Sequence, residues 1–114
     1  LLDSCFMKQT NIAIADMHQA ADQACRLMKV LANADRLMLL CQLAQGEKCV
    51  SELEELLGIM QPTLSQQLTV LRQEQLVTTR REGKNIYYQI SSPEALAVMQ
   101  VLYTTYCNDE RNSR

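Results

Sequence analysis

With 114 residues, 47% of them apolar and 21% charged, the chain has room for one compact core and the balance of an ordinary globular domain. No apolar run approaches the roughly 20 residues of a membrane span, and the N-terminus lacks the basic-then-apolar pattern of a secretory leader. A net charge of −2 and a pI near 5.3 weigh against a uniformly basic nucleic-acid binder, so the distribution of charge must be read instead.

Residues from about Asn11 to Leu31 predict a first helix, because Ile14, Met17, Ala21, Cys25, Met28 and Leu31 recur at three- and four-residue spacing. Asn33 is placed to cap a second helix, Ala34 to Gln45, which Gly46 ends. Its apolar face holds Leu37, Leu40, Cys41 and Ala44. Ser51 to Leu57 predict a short third helix, with Ser51 and Glu54 as a capping box and Gly58 as its left-handed stop. Pro62 suits the first position of a fourth helix that runs to about Glu74, with Leu64, Leu68 and Leu71 turned inward.

Leu76 to Arg81 and Ile86 to Ile90 predict two strands, joined by Glu82-Gly83-Lys84. Ser92-Pro93-Glu94 starts a last helix that runs to about Cys107. Residues 1–114 thus read as one domain, mainly α with a β-hairpin, in the order ααααββα. Residues 1–12 and 109–114 are expected to be flexible.

Two short helices joined by a tight turn, followed by a hairpin with a basic tip, make a winged helix-turn-helix, a DNA-binding arrangement. The second helix of the pair can enter the major groove with its N-terminal residues at base edges. Here that start reads Gln61-Pro62-Thr63-Leu64-Ser65-Gln66-Gln67. A Gln can pair bidentately with adenine, and Ser or Thr can donate to or accept from several bases. The candidate DNA-reading residues are therefore Gln61, Thr63, Ser65 and Gln66, while Gln67 taken alone is better read as a solvated polar residue. Arg72, Arg80, Arg81 and Lys84 gather nearby, opposed only by Glu74 and Glu82. As single charges they would be ordinary solvated groups. As a set on helix and hairpin they are expected to grip phosphate or the minor groove.

The runs Leu31-Ala32-Asn33-Ala34-Asp35-Arg36-Leu37, Gln61-Pro62-Thr63-Leu64-Ser65-Gln66-Gln67-Leu68 and Val70-Leu71-Arg72 resemble the ArsR/SmtB family of bacterial repressors, over about residues 15 to 107. The resemblance implies a homodimer built from the first and last helices, and an inducer that releases it from a promoter operator. Met60 departs from the pattern, standing where the family often has a cap-forming Ser. That costs ~1 kcal/mol of helix-start stability and leaves Gln61 as the expected cap.

The family's usual metal sites are incomplete. Cys49-Val50-Ser51 lacks the second thiolate of a Cys-Val-Cys segment, and Pro93 to Cys107 holds no His and only Glu94 as carboxylate. His18 reads as a surface or interface residue, and no metal or cofactor is expected. The five cysteines are Cys5, Cys25, Cys41, Cys49 and Cys107, with no C-x-x-C among them. An odd count without a leader points to reduced thiols and a cytoplasmic location. The plainer reading makes most of them small buried apolar residues.

The neighbourhoods of Cys41 and Cys107, however, resemble the dithiol, persulfide- and redox-sensing subgroup of the family (BigR/SqrR/HlyU-like). The resemblance implies that this pair responds to low-molecular-weight persulfides or polysulfides. A thiolate attacks a persulfide and is persulfidated, and the second thiolate attacks in turn to give a bridge. A direct disulfide needs Cα atoms about 4.4–6.8 Å apart, so a pair held further apart would favour a bridge with extra sulfur. The alternatives are an oxidant-responsive protein, a HlyU-like regulator that senses nothing and competes with another DNA-binding protein, or a thiolate metal(loid)-responsive repressor. An enzyme is not expected, since one His, no phosphate loop and no C-x-x-C leave no nucleophile–base–acid set.

Overall fold

The computed structural model describes residues 13–107. The elements are α1 (Ile14–Leu31), α2 (Ala34–Leu43), β1 (Lys48–Cys49), α3 (Val50–Leu57), α4 (Thr63–Gln73), β2 (Val77–Glu82), β3 (Asn85–Ile90) and α5 (Pro93–Leu102). After α5 the chain widens into a π-helical turn over Tyr103–Cys107. The flexibility expected of residues 1–12 and 109–114 lies outside the described residues. None of the described helices is long and apolar enough to cross a membrane.

The mainly helical fold with a hairpin wing agrees with the sequence reading, but the order gains a strand. β1 adds to the free edge of β3 through Lys48↔Tyr88 and Cys49↔Tyr87, giving an antiparallel sheet in the order β1-β3-β2. A two-residue strand shows no alternation of its own, and it exists only because β3 offers unpaired backbone groups. The hairpin closes on the pair Glu82↔Asn85, so the turn is Gly83-Lys84, and Gly83 takes φ +64°, where a side chain would be strained.

Several helix ends differ from expectation by a residue or two. α3 starts at Val50, and its reach-back comes from Glu52, whose carboxylate accepts the Cys49 N–H at 2.9 Å, in place of a Ser51–Glu54 box. Both registers have a carboxylate three residues on. The strand pairing of Cys49 selects the earlier one. Pro62 sits in the cap position and α4 begins at Thr63, while Gln61 Oε1 accepts the Ser65 N–H at 3.3 Å and so takes part of the capping role assigned to it. Asn33 caps α2 through the Arg36 N–H at 3.0 Å, Ser92 caps α5 through the Ala95 N–H at 3.1 Å, and Gly58 ends α3 at φ +70°.

Leu39 and Leu40 of α2 meet Leu53 of α3, Leu64, Leu68 and Leu71 of α4, Val77 of β2 and Met99 of α5 in one apolar core. The apolar row on α1 is a different matter. Leu31 is buried, but Ile14, Met17 and Met28 remain 68%, 50% and 57% exposed, and Cys25 is exposed too. The row seen in the sequence is present, and within a single chain it faces solvent.

Candidate functional site

α3, the turn after Gly58 and α4 form the helix-turn-helix, with the β2–β3 hairpin beside it. α4 turns Leu64, Leu68 and Leu71 into the core, which leaves Ser65, Gln66, Thr69 and Arg72 exposed. Gln61 is exposed just ahead of the helix and Thr63 is half-buried at its first residue. Gln61 and Ser65 are joined, since the Ser65 hydroxyl donates to Gln61 Oε1 at 2.5 Å. Gln66 has no such tie among the described residues. Arg72 stands in the last turn of α4, ~13 Å along the axis from Thr63.

The basic set on the wing divides. Successive residues of a strand point to opposite faces, so Arg80 and Arg81 leave β2 on opposite sides. Arg80 donates through Nε to both Glu47 carboxylate oxygens at 2.9 and 2.7 Å, and through a second nitrogen to Glu82 at 2.7 Å. Its guanidinium also lies 4.7 Å from the centroid of the cross-strand Tyr87 ring. The hydrogen bond from Arg80 holds the Glu47 carboxyl below its ordinary pKa, and the paired carboxylates push the Arg80 pKa up. Arg81 and Lys84 are exposed and form no ion pair among the described residues.

On the far side of α2, Cys41 is half-buried. With Ala44, Gln45, Met99, Gln100, Tyr103 and Thr104 it lines an open cavity of about 440 Å³ between α2 and the end of α5. The Cys41 thiol donates to the Met99 sulfur at 4.0 Å. Burial raises the Cys41 pKa, and the nearby charge of Cys107 raises it further. Cys107 itself is exposed in the π-helical turn. Among the other cysteines, Cys49 is buried at the β1–α3 junction, Cys25 is exposed on α1, and Cys5 lies outside the described residues. Among the described residues no three His, Cys, Asp or Glu side chains converge as a metal ion would require.

Three residues of these sites were not legible from the sequence. Glu47, which engages Arg80, Met99, which faces Cys41, and Arg36, which donates to Gln67, each make their contact across more than thirty residues. No local pattern marks such a partner.

The model of the family described as "Bacterial regulatory protein, arsR family" matches residues 33–79, from the α2 cap into β2. The biofilm growth-associated repressor of Agrobacterium fabrum is 48% identical over 89% of this chain and 86% of its own length. The transcriptional activator HlyU of Vibrio cholerae is 36% identical over 90% of this chain and 94% of its own. The crystal structure of the transcriptional repressor BigR from Xylella fastidiosa superposes with a TM-score of 0.78 at 45% identity, covering 86% of this chain and 97% of that one.

Proposed function

We propose a thiol-switched repressor, starting from the fact that the chain belongs to the arsR family of bacterial DNA-binding transcriptional regulators. In this reading it is a homodimer that binds a promoter operator and leaves it when reactive sulfur species modify Cys41 and Cys107. One observation carries the reading. Cys41 opens into a cavity beneath the last turn of α5, and its thiol feels the charge of Cys107. The similarity to two proteins whose names call them repressors supports the direction of regulation.

The chemistry starts at Cys107, the exposed thiol. Its thiolate attacks the outer sulfur of a low-molecular-weight persulfide. The persulfide S–S bond breaks and the carrier leaves as a thiolate, so Cys107 becomes a persulfide. The Cys41 thiolate then attacks the inner sulfur and releases hydrosulfide, which gives a disulfide. If Cys41 has also been persulfidated, the terminal sulfur of Cys107 attacks the inner sulfur of Cys41. Hydrosulfide again leaves, and the bridge retains three sulfurs. Either bridge ties α2 to the end of α5.

The dimer seam is assigned to α1 and to the end of α5 with the π-helical turn that follows it, because Ile14, Met17 and Met28 on one and Val101, Tyr103 and Tyr106 on the other are large apolar side chains left in solvent. A shift at that seam changes the spacing of two reading heads that must match half-sites about 34–36 Å apart. Couplings of this kind are worth ~1–3 kcal/mol, so release is expected to be partial, short of the ~5.5 kcal/mol needed to swing a population fully. Gln61, Thr63, Ser65 and Gln66 are assigned to the bases, and Arg72, Arg81 and Lys84 to phosphate. Arg80 holds the wing in shape.

The test compares the DNA affinity of the reduced protein before and after an organic persulfide, with oxidised glutathione, peroxide and arsenite in parallel. Intact mass is expected to show a Cys41–Cys107 bridge that accompanies release. Cys41→Ser and Cys107→Ser are both expected to bind DNA and ignore the persulfide. Unchanged affinity after both thiols have been modified sinks the switch. A response confined to peroxide or arsenite replaces persulfide with that inducer.

A further inference from the structure

Arg36 is half-buried in the first turn of α2, and its guanidinium spans two other helices. Nε donates to the Val30 carbonyl at 2.6 Å, and one terminal nitrogen reaches the Lys29 carbonyl at 3.4 Å. Both carbonyls belong to the last turn of α1, where intrahelical donors run out and the dipole is negative. The other terminal nitrogen donates to Gln67 Oε1 at 2.8 Å, in the middle of α4.

A guanidinium is flat and offers only donors, in fixed directions. With one edge seated on the end of α1, its remaining donor can meet α4 in one place only. The Gln67 carboxamide must turn its oxygen inward to accept. Gln67 lies next to Leu68 on the inner shoulder of α4, away from the exposed row of Ser65, Thr69 and Arg72. Its role is therefore toward the protein.

We propose that Arg36 is a positioning residue that sets the orientation of α4 relative to α1 through Gln67, and thereby the spacing of the two reading heads in a dimer. The inference rests on the dimer assignment made above and is independent of the thiol switch. It gives α1, the seam helix, a polar connection to the DNA-reading helix that bypasses the cavity at Cys41. It also separates two effects that a direct DNA contact would join. A strut between seam and reading helix matters for a duplex that engages both heads, and is silent for one that engages a single head.

The test uses Gln67→Met, which removes the acceptor and keeps the length, and Arg36→Lys, which keeps the charge and loses the fork. The probes are a duplex that the wild-type chain selects from a random pool, and the same duplex cut to one half-site. A hydrogen bond to a charged group corresponds to about a ten-fold effect or more. Each variant is expected to lose about ten-fold on the two-half-site duplex, with the half-site affinity and the salt slope unchanged. The double variant should lose no more than either single one. Equal losses on both probes, additive losses, or no loss from Gln67→Met overturn the proposal. Should Arg36→Lys fail to fold, Gln67→Glu supplies the second arm: it keeps an acceptor for Arg36 and is expected to hold two-half-site affinity near wild type. Sedimentation of the wild-type chain in the same samples separates the two readings. A monomer overturns the dimer and this strut together, whereas a dimer with unaffected variants overturns the strut alone.

Discussion

Arg80 and Glu47 hold each other with two hydrogen bonds of 2.9 and 2.7 Å, which ties the segment before β1 to the middle of β2. Glu47 and Glu82 compete with phosphate for Arg80, whereas Arg81 and Lys84 have no ion pair among the described residues to give up. Arg81→Ala and Lys84→Ala are expected to weaken binding to every sequence alike, each flattening the salt slope by about 0.9. Gln66→Ala should instead relax sequence preference, at a cost of about 1–3 kcal/mol on the preferred site. Titrations at several salt concentrations on matched and mismatched duplexes separate the two kinds of loss.

The same pair is expected to give the wing a pH dependence. Arg80 lowers the folded-state pKa of Glu47 below its unfolded value. The contribution is therefore present in full above about pH 4.3 and is lost as pH falls through the folded value. Melting curves of the wild type should show a steeper acid-side decline than those of Glu47→Gln. Parallel profiles for the two proteins would contradict this.

Cys41 and Cys107 should differ in reactivity. Burial, followed by the charge of Cys107, raises the Cys41 pKa, whereas Cys107 is exposed. Iodoacetamide at neutral pH is expected to label Cys107 first, as read by peptide mass. Labelling of Cys41 should keep accelerating with pH beyond the ordinary thiol range of about 8.5. Faster labelling of Cys41 at neutral pH would reverse the order of attack given above.

The exposed row on α1 carries its own prediction. Met17→Glu places a charge in an apolar face that is 50% exposed in the single chain. Sedimentation should show dissociation into folded monomers, with DNA affinity falling to that of one reading head. A Met17→Glu protein that remains dimeric moves the seam elsewhere.

Gln75 ends α4 at φ +65°, with the Leu76 N–H donating to the Leu71 carbonyl at 2.9 Å. A side chain in the left-handed region costs energy that glycine does not. Gln75→Gly is expected to stabilise the fold by ~0.5–1 kcal/mol, seen as a melting temperature raised by a few degrees. A lowered melting temperature would mean that the Gln75 side chain makes a compensating contact.

What could be read from the sequence were the features that repeat locally. The three- and four-residue spacing of Leu64, Leu68 and Leu71, the caps at Asn33 and Ser92, and the glycines at 58 and 83 mark helices, ends and turn within a few residues of themselves. The helix-turn-helix and wing follow from their order, and the dithiol reading came from a resemblance around Cys41 and Cys107. Tertiary structure decided what pairs across the chain. β1 forms because β3 has a free edge, Arg80 pairs with Glu47, the α1 row faces solvent within a single chain, and Arg36 reaches Gln67. Periodicity reports which face of an element is apolar. It carries no information about which distant partner meets that face, and a hydrogen bond spanning 31 residues of chain leaves no mark in the local pattern at either end.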